Sequence, residues 1–364
     1  MINIAAPVID SEERRAVDEV IESGMLAQGP KVAELEKNWA EYCGVKHALA
    51  VNSGTAAIHC ALYAAGVKEG DEVITTPYSF IATINPILML GALPVLVDID
   101  EETFNIDVSK IEAAITEKTK AIVPVDLYGQ PCDWAELQEI AKKHDLKIIE
   151  DACQAIGAEY KGIKAGALGD FGCFSLYATK NIMCGEGGVV TTNSDEAAAA
   201  IRSFRQHGMV APYEYADLGY NYRMSDLHGA IAVEQLRKVD RFTAQRQRNA
   251  SLLNEALAGV KGIELPRVAD NRSHVYHQYT ILLDEGISRD EFVTKLREKG
   301  VGAGVYYPKP LHAYPHIAKL GYEAGDFPVA EDLAARVVSL PVHPKVTDED
   351  IEIIAAAVKE SVNG

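Results

Sequence analysis

The sequence predicts an α/β protein with a large domain built on a mostly parallel sheet flanked by helices, and a smaller C-terminal α+β domain. Three observations lead there. Between about residues 45 and 190, short apolar runs alternate with segments of helical hydrophobic period, the pattern of strands joined by crossover helices. Past about residue 245 the chain becomes more charged and more helical, with a separate strand-like run. A length of 364 residues exceeds one small core, so two units, residues 1–245 and 246–364, are expected.

Each element has its own signal. Ala48-Leu-Ala-Val51 reads as a strand, and Asn52-Ser-Gly-Thr55 as the turn that leaves it. Ile58, Ala61, Leu62 and Ala65 recur at helical spacing, and Gly66 closes that helix. Glu72–Thr75 and Pro94–Val97 are strands flanking a helical stretch near 79–90. Ala121–Val125 and Leu146–Ile149 flank a helix starting at Asp133, where Asp133-Trp-Ala-Glu136 has the form of a capping box. A long charged helix over roughly 229–258 leads to the strand-like Tyr276-His-Gln-Tyr-Thr-Ile-Leu-Leu283. Ser288-Arg-Asp-Glu291 opens another helix, which Gly300 ends. Val301–Val305 is short and extended, and a final helix runs to near Ser361.

Composition narrows the partners. The formal net charge is −18, from 35 basic and 53 acidic residues spread along the chain. No basic cluster is available to neutralise phosphates in series, which argues against nucleic acid or an anionic membrane as a standing partner. A phosphorylated small molecule needs only a few local donors and stays open. Six cysteines form no CxxC pair and no zinc-like spacing with histidine, as expected of reduced cytoplasmic thiols. Met1-Ile-Asn-Ile-Ala-Ala-Pro7 lacks the pattern of a signal peptide, and no window holds the roughly eighteen apolar residues of a membrane span. A cytoplasmic protein without a metal is expected.

The richest stretch is Phe171-Gly-Cys-Phe-Ser-Leu-Tyr-Ala-Thr-Lys-Asn-Ile-Met-Cys-Gly-Glu-Gly-Gly188. Lys180 has no acidic neighbour for four residues on either side. An amine in apolar company has its charged form disfavoured, and the free amine can then attack a carbonyl. Ser175 offers a hydroxyl to a phosphate, and the glycines let backbone approach a flat ring. Taken alone, the stretch fits equally well a lysine with a buried stem that snorkels to solvent. Asn52-Ser-Gly-Thr55 could hold an anion at a helix N-terminus, or be an ordinary N-cap. Asp151, at the exit of the strand Leu146–Ile149, could face a ring nitrogen or simply cap a helix; Gln154 lies three residues on.

Together these segments suit one ligand, with phosphate at Thr55 and Ser175, a ring nitrogen at Asp151 and an aldehyde carbon at Lys180. The chain resembles the DegT/DnrJ/EryC1/StrS sugar aminotransferases, which are pyridoxal-phosphate enzymes of fold type I. The resemblance spans nearly the whole chain. It also includes Gly29-Pro30, Thr76-Pro77, Ser79-Phe-Ile-Ala82, Leu127-Tyr-Gly-Gln130, Gly219-Tyr-Asn-Tyr-Arg-Met224 and Tyr307-Pro-Lys-Pro-Leu-His312. It implies that Lys180 binds the cofactor and shuttles a proton, and that Asp151 pairs with the pyridine nitrogen. By the same resemblance Phe80 stacks on the ring, Gln154 touches its hydroxyl, and Gly54, Thr55 and Ser175 hold the phosphate. Asn221 is expected to reach the phosphate across a homodimer interface, with Arg223 near substrate anions. Without the resemblance, Phe80 reads as a core residue, Asn221 as a turn residue and Arg223 as a surface arginine. Tyr307 and His312 are expected at the substrate mouth, with Lys309 a further cation for anionic substrates. Relatives that dehydrate carry histidine at the lysine position; this chain keeps lysine and lacks the clustered cysteines of an iron–sulfur dehydrase. The implied reaction moves an amino group from L-glutamate to a nucleotide-linked keto sugar. A cyclitol or other cyclic ketone as acceptor, and a cofactor-binding regulator, are the alternatives.

Overall fold

The computed structural model describes residues 1–363. Helices α1 (Ser11–Ser23) and α2 (Pro30–Cys43) lead the chain, followed by β1 (His47–Val51), α3 (Gly54–Ala64) and β2 (Glu72–Thr75). Next come α4 (Asn85–Met89), β3 (Leu93–Leu96), β4 (Thr119–Val123), α5 (Trp134–His144) and β5 (Lys147–Asp151). A small hairpin, β6 (Glu159–Tyr160) with β7 (Ile163–Lys164), precedes β8 (Phe171–Ser175), β9 (Gly188–Thr192) and α6 (Asp195–Phe204). A second hairpin, β10 (Met209–Ala211) with β11 (Glu214–Tyr215), leads to α7 (Asp226–Leu236) and α8 (Val239–Leu257). The chain then forms β12 (Ile263–Glu264), β13 (Tyr279–Leu283), α9 (Arg289–Glu298), α10 (Pro315–Ala318), α11 (Pro328–Arg336), β14 (Val337–Leu340) and α12 (Asp348–Asn363).

Among the described residues, seven strands make the central sheet in the order β1-β9-β8-β5-β4-β2-β3. β9 runs antiparallel to both its neighbours, and the other adjacent pairs are parallel. Successive strand residues point to opposite faces, so β1 gives Ala48 and Ala50 to one core and Leu49 and Val51 to the other. On the first face α2 buries Val32, Leu35 and Trp39, with the Trp39 ring edge-on to Phe174 at 5.1 Å. On the second, α3 lays Ile58 and Leu62 over Cys173 of β8 and Val190 of β9. Covering both faces explains why β8 and β9 are buried at every position. A separate antiparallel sheet, β12-β13-β14, packs with α8, α9 and α12 around Leu253, Leu283, Phe292, Leu340 and Ile354.

Several local expectations need correction. The stretch near 79–90 is not one helix but a 3-10 turn over Ile81–Thr83 followed by the five-residue α4. The long helix of 229–258 is two helices, turning at Arg237–Lys238 where the Lys238 ammonium is held by buried Glu13 at 2.7 Å and by Asp10 at 3.1 Å. α5 starts where its capping box places it, yet the Asp133 side chain makes no cap; Arg272 takes it instead, at 2.5 Å. A charge-assisted bond from a guanidinium, itself anchored on the Pro131 and Asp270 carbonyls, outcompetes a backbone amide for the carboxylate. The run from Tyr276 becomes a strand only at Tyr279, because Tyr276 lies at φ 45°.

Candidate active site

Four segments leaving the carboxyl ends of the strands meet in a cavity of about 550 Å³. They are Ser53–Thr55 after β1, Ser79–Thr83 after β2, Asp151–Gln154 after β5 and Ser175–Lys180 after β8; Tyr306 and Tyr307 close one side.

The phosphate-sized end is built by α3. Ser53 caps the helix, its Oγ accepting the Ala56 N–H at 3.1 Å. The first amides of any helix have no intrahelical acceptor, and with the helix dipole they stabilise an anion. Gly54 lets this end come close to β8: a Cβ there would meet Ser175 Cβ at 2.8 Å and Cys153 Sγ at 3.1 Å. Ser175 Oγ lies beside it, and Thr55 lines the same cavity.

At the other end Asp151 is buried, and a buried carboxylate must be hydrogen-bonded to stay charged. Its Oδ2 accepts the Thr83 hydroxyl at 2.8 Å and its Oδ1 the Cys153 N–H at 3.2 Å. The Thr83 hydroxyl in turn lies 2.9 Å from that of Ser79. Gln154 is held on both sides, its Oε1 accepting the Tyr128 N–H at 3.0 Å and its Nε2 donating to the Tyr307 hydroxyl at 3.3 Å.

Lys180 is half-buried in this cavity, its backbone N–H bonded to Tyr177 O at 2.9 Å. Burial of the amine pushes it below the usual lysine range, opposed by the nearby Cys153 and Asp151. His277, buried next to it and 3.3 Å from Asn181 Oδ1, is driven well below the ordinary histidine range by burial and by the lysine charge. The neighbour of the amine is therefore a neutral imidazole near neutral pH. A second wall is fastened by phenols: Tyr78 Oη accepts the Tyr307 N–H at 2.9 Å and donates to Tyr306 O at 3.0 Å, and the Tyr128 hydroxyl also reaches Tyr306 O.

Of the residues expected from sequence, Lys180, Asp151, Gly54, Thr55, Phe80, Gln154, Ser175 and Tyr307 line this one cavity. Phe80 is 57 % exposed, so it is not a core residue. Asn221 and Arg223 do not line it within a single chain; Asn221 is exposed, its carbonyl accepting from Asn52 Nδ2 at 3.2 Å. His312 is buried outside the lining of this cavity, its Nε2 3.0 Å from Glu331 and its ring against Phe327, while its Nδ1 has no hydrogen-bond partner among the described residues. Lys309 also lies outside the lining, over the Tyr314 ring at 4.2 Å. The glycines after Cys184 were expected to clear space for a ring. Instead a Cβ on Gly187 would strike Cys184 Sγ and Met224 Cε at 2.8 Å, and one on Gly188 the Ser53 carbonyl, so they serve chain packing.

Sequence reading missed Thr83, Cys153, His277 and Glu186. The spacing of Ser79 and Thr83, two hydroxyls four residues apart after a strand, was the available signal for the first.

An amine of depressed basicity, a buried carboxylate lining the same cavity and an anion cradle at a helix start match the aldehyde, ring nitrogen and phosphate of pyridoxal phosphate. Comparisons with known proteins agree. Residues 7–359 match the model of the DegT/DnrJ/EryC1/StrS aminotransferase family. The chain is 42 % identical over 365 residues to the GDP-perosamine synthase of Caulobacter vibrioides, covering 99 % of this chain and 98 % of that one. It is 44 % identical over 354 residues to a protein of Geobacillus stearothermophilus named a pleiotropic regulatory protein, covering 96 % and 94 %. S. venezuelae DesV, solved in complex with a ketimine intermediate, superposes with a TM-score of 0.94 at 35 % identity, covering 97 % and 95 %. The chain belongs to the DegT/DnrJ/EryC1/StrS family and is a pyridoxal-phosphate-dependent sugar aminotransferase.

Proposed function

We propose that the protein transfers an amino group from L-glutamate to a keto sugar carried on a nucleotide, giving an amino sugar for polysaccharide or glycan assembly. The observation that carries the reading is the meeting of Lys180 and Asp151 in one cavity with the Gly54–Thr55 and Ser175 cradle. Pyridoxal phosphate, when bound, supplies an electrophilic carbon and a sink for the electron pair left at the substrate carbon. The chain supplies the rest. Lys180 Nζ would hold the cofactor and would serve as the acid and base for the proton at the substrate carbon. Asp151, oriented by Thr83, would hold the ring nitrogen in its protonated form, and Gln154 would bind the ring hydroxyl. Phe80 would stack on the ring. One lysine serving donor and acceptor in turn predicts ping-pong kinetics.

We further propose a homodimer, in which Asn221 reaches the phosphate of the partner's site and Arg223 lies near substrate anions. The exposure of Asn221 and its absence from the lining of its own cavity support this. The residue division 1–245 and 246–364 is kept as the domain proposal. Among the described residues no helix is long and apolar enough to cross a membrane.

Borohydride reduction of cofactor-loaded protein followed by peptide mapping should label Lys180. Glutamate should convert the cofactor spectrum to that of pyridoxamine phosphate, and nucleotide-linked amino sugars with 2-oxoglutarate should yield glutamate. An unlabelled Lys180 sinks the reading. The Geobacillus relative's name favours a second one, a regulator that binds the cofactor with little turnover. A glutamate-insensitive spectrum in labelled protein would select it.

A further inference from the structure

We propose that Glu186 binds the hydroxyl groups of the acceptor sugar and so sets specificity for a polyhydroxylated ketone, an inference that rests on the function proposed above. Glu186 lies in Gly185-Glu-Gly-Gly188, and its position is fixed by the chain around it. Cys184 N–H bonds to Leu176 O at 2.9 Å and Leu176 N–H to Gly187 O at 2.8 Å, closing the loop that carries Lys180. Tyr177 pairs with Gly185 inside the same closure. A side chain at Gly187 or Gly188 would collide with Cys184, Met224 or the Ser53 carbonyl, and Gly185 has φ 92°. Of these four positions only 186 takes a side chain, and Glu186 is the residue of the four that lines the cavity.

Charge defines what it can hold. Lys180, Asp151 and Glu186 are the charged acid and amine groups of the lining. Both oxygens of Asp151 already accept hydrogen bonds. The Glu186 carboxylate is exposed, with no hydrogen bond or ion pair among the described residues. An ionised carboxylate only accepts, so it repels the diphosphate of a nucleotide and the carboxylates of glutamate, which are also acceptors. Sugar hydroxyls are donors, and a hydroxyl-to-carboxylate bond is of the strong, charge-assisted kind. The remaining outer wall is mainly aromatic, Phe80, Tyr177, Tyr306 and Tyr307, so Glu186 is its concentrated acceptor.

The test compares wild type, Glu186→Ala and Glu186→Gln as loaded enzymes, each half-reaction followed separately by cofactor absorbance. With a GDP-linked 4-keto-6-deoxyhexose, Glu186→Ala should lose about 10- to 100-fold in acceptor kcat/KM, mostly through KM, as expected for a hydrogen bond to a charged group. Glu186→Gln, which keeps one acceptor oxygen, should recover most of that loss. The glutamate half-reaction and the affinity for GDP alone should stay within about threefold, since the carboxylates of one and the diphosphate of the other are acceptors that a carboxylate does not bind. Equal loss in both half-reactions, weaker GDP binding or an unchanged acceptor reaction in Glu186→Ala would overturn the assignment. If wild type leaves the sugar nucleotide unreacted but aminates a keto-cyclitol, the nucleotide-sugar reading fails and the same variants on the cyclitol decide Glu186. A wild type that takes neither ketone overturns both.

Discussion

Replacing Glu150 with glutamine should flatten the dependence of stability on pH. Glu150 and Asp126 are fully buried and close together. Glu150 accepts N–H bonds from Gly166 at 2.7 Å and Leu168 at 3.3 Å; Asp126 Oδ1 accepts from Cys132 at 2.9 Å and Trp134 Nε1 at 3.2 Å. Asp126 Oδ2 finds no donor among the described residues. Burial pushes Asp126 up to about 6, and burial plus the Asp126 charge pushes Glu150 well above the carboxylate range. The pair therefore retains a proton that the unfolded chain releases near pH 4. With more protons bound in the folded state, stability falls as pH rises through that window, by about 1.4 kcal/mol per unit for one proton. Between pH 5 and 7 the decline is on the order of 3 kcal/mol for the one shared proton, and a proton held on Asp126 up to about 6 adds to it. Glutamine keeps an oxygen for Gly166 and gives Asp126 a permanent N–H in place of the titrating proton. Glu150→Gln should thus be equal to or weaker than wild type at pH 5 and relatively stronger at pH 8. Thermal midpoints at pH 5, 6, 7 and 8 measure this; parallel curves for the two proteins would refute the shared proton.

Thr83→Val keeps shape but removes the donor to Asp151, and should lower kcat about 10- to 100-fold with Thr83→Ser restoring most of it, as steady-state kinetics would report. Gly54→Ala drives a methyl into Ser175 and Cys153, and should weaken pyridoxal phosphate binding by roughly tenfold or more, read by equilibrium dialysis. Trp39→Ala empties the space against Phe174 and should cost about 3–5 kcal/mol by chemical denaturation, without changing which residues line the site.

Strand and helix order through the central sheet was legible because β1 to β5 carry unbroken apolar runs and their helices a clear period. Lys180, Asp151 and Ser175 were legible too, since strand exits collect ligands in such sheets. What escaped depended on partners distant in sequence. Nothing local shows that Asp133 is claimed by Arg272, 139 residues away, or that Lys238 is pinned by Glu13, 225 residues away. The surroundings of His312 were hidden for the same reason, since Glu331 and Phe327 lie 19 and 15 residues further along the chain. Glu186 was hidden among glycines whose reason, contact with Cys184, Met224 and Ser53, is purely three-dimensional.

The phenols of Tyr78 and Tyr128 have a bearing on how tolerant the enzyme can be. By clamping the Tyr306–Tyr307 backbone to loops that leave β2 and β4, they rivet one rim of the binding chamber to the rigid frame. A rim held in this way is set before any ligand arrives, so little ordering cost remains for a molecule of the right outline. Bulkier guests must break those rivets to enter, which makes Tyr78 the natural starting point for widening the range of amines the catalyst can produce.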